Sequence, residues 1–196
     1  VDERGTTNNT HIINHGQQEV YGGISNSSII ETGGEQLVSI DADINGQANN
    51  TTINGGRQSI EYGGISTGTI IESGNQYVHK GGTSNDTTIK GGTSRIEGGT
   101  ANGTIIDGGS QRVTTQGHVD STTINKSGSQ DITQGSLATN TTINGGRQYV
   151  EQSTVETTTI KNGGEQRVYE SRALDTTIEG GTQSLNSKST AKNTHI

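Results

Sequence analysis

The sequence predicts an all-β chain, a right-handed parallel β-helix of about ten coils of ~18 residues. Two columns of apolar residues and a set of glycine corners predict it. An isoleucine recurs at Ile12, Ile30, Ile53, Ile71, Ile89, Ile106, Ile124, Ile143, Ile160, Ile178 and Ile196, at spacings of 17–19 residues apart from one of 23. Seven or eight residues later comes a second apolar residue, Val20, Val38, Ile60, Val78, Ile96, Val113, Ile132, Val150, Val168 or Leu185. Glycine pairs such as Gly55-Gly56 and Gly145-Gly146 separate the two columns, and others such as Gly22-Gly23 and Gly63-Gly64 follow the second. A period this short leaves no room for the helix-bearing repeats, which run about 20–47 residues.

Each element follows from period-2 spacing, because residues i and i+2 of a strand share a face. Thr or Ser stands two residues before every anchor isoleucine, from Thr10 and Ser28 to Thr176 and Thr194. Thr-x-Ile is therefore one short strand. Two residues before the second apolar position stands glutamine in nine of ten coils: Gln18, Gln36, Gln58, Gln76, Gln111, Gln130, Gln148, Gln166 and Gln183, with Ser94 the exception. Gln-x-Val is a second strand. A mostly small residue five before the anchor, such as Ser25, Ala48, Ser66 or Ala101, marks a third short side. Glycine permits the positive φ of a sharp corner.

Composition explains why a stack is needed. Only 23% of the 196 residues are hydrophobic, proline and cysteine are absent, and mean hydropathy is -0.73. Such a chain cannot build a conventional core against its ordering entropy. Stacked coils instead share ladders of hydrogen bonds and side chains between neighbours. Thirteen basic and twenty acidic residues leave a net charge of -7. With no clustered basic face, nucleic acid and anionic membrane surfaces are excluded as partners. No apolar run is long enough to insert in a membrane as a helix. Lack of cysteine excludes disulfides and thiolate metal sites. Residues 1–196 read as a single β-helix passenger fragment of a longer protein, with a short insertion near 39–46.

The inward glutamines read as a structural ladder, since buried amides must satisfy their polar atoms and stacked ones do so along the column. Outward beside each anchor stand Thr52, Thr88, Thr123, Thr142, Thr159 and Thr177, interrupted by His11, Ile29, Ile70, Ile105 and His195. Those interruptions argue against an ice-matching plane, and the threonines suit a solvated strand. The 23-residue spacing comes from the insertion, in which Asp41, Asp43, Asn45 and Gly46 match the opening of a calcium loop. The twelfth position, normally glutamate, is Thr52. The same residues also suit a protruding turn. No histidine pair has metal-ligand spacing, and no carboxylate cluster or G-x-S-x-G elbow marks a catalytic centre. No cofactor is expected, and the chain is not read as an enzyme.

The motif N-T-T-I-N-G-G-x-Q-x-V, present from Asn50 to Ile60 and from Asn140 to Val150, resembles the passenger repeats of AIDA-type autotransporter adhesins, a family that includes TibA and the antigen-43-like self-associating proteins. The resemblance covers essentially the whole chain. It implies export to the bacterial cell surface, or secretion after cleavage, through an outer-membrane barrel outside this segment. It implies adhesion to host cells, self-aggregation with identical passengers on neighbouring cells, and biofilm formation. It also implies O-heptosylation of exposed Ser and Thr by a heptosyltransferase, with Thr52, Thr88, Thr123, Thr142, Thr159 and Thr177 as candidate acceptors. Self-association would use many weak contacts along a flank, for example Arg57, Arg95, Arg112, Arg147 and Arg167 beside Glu61, Glu97 and Glu151. A released ligand of a host receptor and a polysaccharide-acting β-helix enzyme are the alternatives. The enzyme needs long loops carrying clustered carboxylates, and the sequence has one short insertion.

Overall fold

In a computed structural model describing residues 1–2, 4–186 and 188–196, the chain is a parallel β-solenoid of about ten coils. The described residues form thirty strands and no helix. Three faces repeat in every coil. The Ile face carries Thr-x-Ile, as in His11–Ile12 and Thr123–Asn125, and the Gln face carries Gln-x-Val, as in Gln17–Tyr21 and Arg147–Glu151. The third short side is a full ladder: eleven strands, from Thr6–Asn8 to Thr190–Lys192, stack in parallel. Equivalent residues sit directly over one another, so Gln130 faces Gln111 below and Gln148 above. The Ile and Gln faces run into each other where single strands, Thr52–Ile60 and Ile70–His79, pass through the corner.

The interior holds two apolar columns. Nine isoleucines from Ile12 to Ile160 form one. The other joins the second apolar column to Ala48, Ala101, Val119, Ala138, Val155 and Ala173 of the third face. Each fully buried Ile or Val contributes roughly 1.5–3 kcal/mol. In the last coils Leu185 and Ile196 are exposed, because no described coil lies over them.

A polar seam divides the columns. The side-chain amide of every glutamine in the column except Gln18 and Gln111 donates from Nε2 to Oε1 of the glutamine one coil earlier, at 2.6 Å for Gln36 to Gln18, 2.8 Å for Gln58 to Gln36, 2.9 Å for Gln76 to Gln58 and 2.7 Å for Gln148 to Gln130. Threonine and serine hydroxyls complete the seam. Ser66 Oγ lies 2.6 Å from Thr69 Oγ1, and both are placed to donate to Gln58 Oε1. In several coils with alanine or valine on the third face the amide also reaches threonine, as Gln183 Nε2 does to Thr176 Oγ1 at 3.2 Å, and Gln111 Nε2 bonds Thr104 Oγ1 alone at 3.1 Å. Ser94 interrupts the amide ladder. Its hydroxyl donates to Gln76 Oε1 at 3.1 Å, but it offers no amide oxygen to Gln111 above.

Every coil turns at three corners, and each has a residue with positive φ or a replacement for it. In the Ile–Gln corner the two glycines do different jobs. Gly145 has φ +83°, whereas a Cβ on Gly146 would lie 2.5 Å from the Asn125 carbonyl oxygen of the coil below. The corner before the Ile face is left-handed in all eleven cases, and most of its residues are not glycine: Asn9, Ser27, Asn50, Gly68, Asp86, Gly103, Ser121, Asn140, Thr157, Asp175 and Asn193. Asn and Asp tolerate this region better than other non-glycine residues do. The insertion is an antiparallel hairpin on the third corner, Ile40 opposite Asn45 and Asp41 opposite Ile44, turning at Ala42 with φ 49°. It packs over the neighbouring corners, where Gly22 and Gly63 leave room for Asp41, Ile44 and Ile40.

Candidate functional site

Interior positions are consumed by stacking, so chemistry must reside outside. The exterior of the Gln face carries five of the seven arginines (Arg57, Arg95, Arg112, Arg147, Arg167) and four of the five tyrosines (Tyr21, Tyr77, Tyr149, Tyr169). Strand alternation puts them there: in Arg147–Glu151, Gln148 and Val150 point inward, and Arg147, Tyr149 and Glu151 outward.

The side chains gather in two clusters. In the first, the Arg57 guanidinium carbon lies 4.5 Å from the Tyr77 ring centroid and that of Arg95 lies 5.8 Å from it. His79 stacks on the same ring at 6.1 Å and stands between Glu61, at 3.5 Å, and Glu97, at 3.4 Å. The second cluster begins in the next coil, with Arg112 stacked over Arg95. Arg112 Nε is 3.5 Å from Asp131, Arg147 Nε is 3.5 Å from Glu165, and Arg167 Nε donates to Glu165 Oε1 at 2.6 Å. Tyr149 and Tyr169 rings meet at 5.2 Å, tilted by 43°. Burial first, then the charge of Glu151, pushes the Tyr149 hydroxyl above its ordinary pKa, so it remains a proton donor at neutral pH.

This second cluster is concave. A hollow of about 200 Å³ lies between Asp131, Arg147, Tyr149, Glu165 and Arg167, and another of about 280 Å³ adjoins it across Asp131 and Tyr149 toward Arg112. Around the corner the groove continues into a recess of about 540 Å³ over Lys126, Ser127, Gly145 and Gly146, sharing Ser129 and Arg147. The arginines were legible as an outward row; the tyrosines among them were missed. Reading the residue between Gln and Val down successive coils (Tyr77, Arg95, Arg112, Asp131, Tyr149, Arg167) is the signal that finds them.

Other candidate residues lie elsewhere. Thr52, Thr88, Thr123, Thr142, Thr159 and Thr177 form one row on the Ile face, half-buried between stacked neighbours. More exposed hydroxyls sit on corners, at Ser27, Ser121, Ser127 and Thr157. Asp41, Asp43 and Asn45 are drawn out along the hairpin instead of winding about one point, and Gly46 has returned to the coil, its N–H bonded to the Ser39 carbonyl at 2.9 Å. Among the described residues no three His, Asp or Glu side chains gather around a common metal position. A second amide ladder went unread in the consensus: on the third face Asn26 Nδ2 donates to Asn8 Oδ1 and Asn49 Nδ2 to Asn26 Oδ1, both at 3.0 Å. Further along that column Asp120 accepts from Thr139 at 2.5 Å, from Ser121 at 2.7 Å and from Asn140 at 2.7 Å, and these bonds hold its carboxyl below the usual aspartate range.

A helix-free stack with a sealed polar-and-apolar interior and varied outer faces defines a display rod, a β-solenoid whose surface is its working part. No protein-family model matches the chain. A stretch of 36 residues, 18% of the chain, is 82% identical to the Probable autotransporter YpjA of Escherichia coli (strain K12), of whose length the match spans 2%. Among solved structures, the TibC-catalyzed hyper-glycosylated TibA55-350 fragment matches with a TM-score of 0.76 and 35% identity, over 98% of this chain and 79% of that fragment. The chain belongs to the AIDA-type autotransporter passengers. Its place is therefore extracellular, at the cell surface or secreted. These similar proteins are passengers, not members of an enzyme family.

Proposed function

We propose that this passenger segment mediates adhesion to host cells and self-aggregation of the bacteria that display it, promoting biofilm, and that it is a substrate for Ser/Thr O-heptosylation. The observation that carries the adhesive reading is the gathering of arginine and tyrosine on the exterior of one face, the residue types that dominate binding hot spots. Their repetition along a straight rod favours many-point contact, in which avidity replaces a single tight pocket. The glycosylated state of the similar TibA fragment supports a glycosyltransferase partner. The acceptors we favour are the exposed corner hydroxyls, Ser27, Ser121, Ser127 and Thr157, over the half-buried threonine row, because a transferase must reach the oxygen from outside.

The test is a settling and host-cell binding assay with this passenger on its native barrel, displayed by a non-aggregating strain with and without a heptosyltransferase. Settling that added soluble rod inhibits, or host-cell binding, is the expected result. Cells that neither settle nor bind in either condition refute the adhesive reading, and an unmodified passenger mass in the presence of transferase refutes the glycosylation.

A further inference from the structure

We infer that the second cluster is a glycan-binding groove, with an uncharged oligosaccharide lying along the rod axis over Arg112, Asp131, Arg147, Tyr149, Glu165 and Arg167. The inference rests on the adhesive reading and names the class of molecule that the site takes.

The first argument is charge. Each of the three guanidiniums has a carboxylate within 3.5 Å, Arg112 with Asp131 and both Arg147 and Arg167 with Glu165. An anionic polymer needs a net positive groove, whereas here the three guanidiniums are matched by three carboxylates, Asp131, Glu165 and, beside Tyr149, Glu151. Their pairing instead holds donors and acceptors in alternation along the groove. A vicinal diol donates its hydroxyl protons to a carboxylate and accepts from a guanidinium, so a polyol satisfies both halves of each pair while leaving the pair intact. Arg147 and Arg167 keep side-chain exposures of 80% and 56%, so N–H donors remain for a ligand.

Shape is the second argument. The two adjoining hollows of about 200 and 280 Å³ share Asp131 and Tyr149, and so form one channel with the tyrosine at its waist. Together they reach the size range of small-ligand sites. Tyr149 supplies an apolar surface ending in a donor hydroxyl, suited to the C–H face of a sugar ring with its hydroxyl rim. The coils advance ~4.8 Å each along the axis. That rise is comparable to the advance per residue of an extended glycan, so successive sugars meet equivalent positions on successive coils.

The purified chain is tested on an array of neutral oligosaccharides (oligomannose, lactosamine chains, gluco-oligomers) beside heparin and polysialic acid as the acidic arm. We expect binding to at least one neutral chain that persists in high salt. Tyr149→Ala and Asp131→Asn should weaken it by about tenfold or more. Tyr62→Ala, at an exposed tyrosine outside the Gln face, should leave it unchanged, and unchanged thermal unfolding of all three variants excludes misfolding as the cause. Binding confined to the acidic probes and lost in salt overturns the inference, as does neutral binding insensitive to Tyr149→Ala. No glycan binding, with dimers in sedimentation that Tyr149→Ala abolishes, assigns the groove to a second copy and also overturns it. Should cells still settle when the array is blank, only the glycan groove fails and the adhesive reading stands.

Discussion

Removing one amide from the seam tests how the rod is held together. Gln148 is 1% exposed, donates to Gln130 Oε1 at 2.7 Å and accepts from Gln166 Nε2 at 2.7 Å. Gln148→Ala leaves the Gln130 carbonyl oxygen buried without its donor, at about 1–3 kcal/mol. Gln166 Nε2 retains only Thr158 Oγ1 at 3.4 Å, a loss of about 0.5–1.5 kcal/mol. One buried methylene, Cγ, disappears as well, at about 0.8 kcal/mol. The expected destabilisation is therefore about 2–5 kcal/mol, large against the ~5–15 kcal/mol typical of a whole domain. Chemical denaturation followed by circular dichroism measures it, with the outward neighbour Arg147→Ala as a control expected within about 0.5 kcal/mol of the parent. In a stack coupled only to nearest neighbours the damage is local, so amide exchange should quicken first in the coils of Gln130, Gln148 and Gln166. A loss below about 1 kcal/mol, or exchange that quickens evenly along the chain, refutes the reasoning.

Three further changes probe individual positions. Ser94→Gln should stabilise the chain by up to about 1 kcal/mol, since it exchanges the hydroxyl bond to Gln76 for an amide bond, adds an acceptor for Gln111 and buries a further methylene against the side-chain entropy lost; a lower melting temperature refutes it. Thr157 holds φ 55° with a β-branched side chain, and Thr157→Asn, the residue found at Asn9, Asn50 and Asn140, should gain about 1 kcal/mol by relieving that strain, read as a higher denaturation midpoint. Asp120 is held below the ordinary aspartate range chiefly by its bonds from Thr139, then Ser121 and Asn140. Its folded pKa is depressed, so its stabilisation is complete above the unfolded value of about 4 and fades as pH falls through the lower folded value. The stability gap between parent and Asp120→Asn should thus shrink as pH falls below about 4, and a gap constant down to strongly acidic pH contradicts the assignment.

The coil was legible because it repeats. One Thr-x-Ile or Gln-x-Val is a weak signal, but eleven anchors in near-constant register admit no helical reading. Less legible was whatever does not repeat in identity. The corner at Asn50 is left-handed in every coil, yet it is filled by Asn, Ser, Asp, Gly and Thr, so a search for glycine misses most of its members. The third face reads only as a short side with small inward residues, and the hydrogen bonds that join its outward asparagines Asn8, Asn26 and Asn49 are not legible there. The groove is harder still. Arg112, Asp131, Tyr149 and Arg167 are 18–19 residues apart, and nothing local marks them as neighbours until the coils are stacked.

That separation of inside from outside explains how such a rod acquires function. Changing Gln148 disturbs two seam contacts, whereas changing Tyr149, one residue away, alters only the surface. Outward positions are thus nearly free of the stacking constraint, and surface substitutions away from special features cost little. Because side chains from different coils converge at fixed height and register, a site arises wherever three or four neighbouring coils carry compatible outward residues. It needs no loop and no break in the fold. The Ile40–Asn45 hairpin shows the other route, an insertion accepted at a corner while Val38, Ala48 and Ile53 remain fully buried in their columns. A catalytic centre of the loop-borne kind would need several such insertions converging, whereas a binding groove needs only the ladder. The geometry therefore favours recognition along the rod over chemistry at a point.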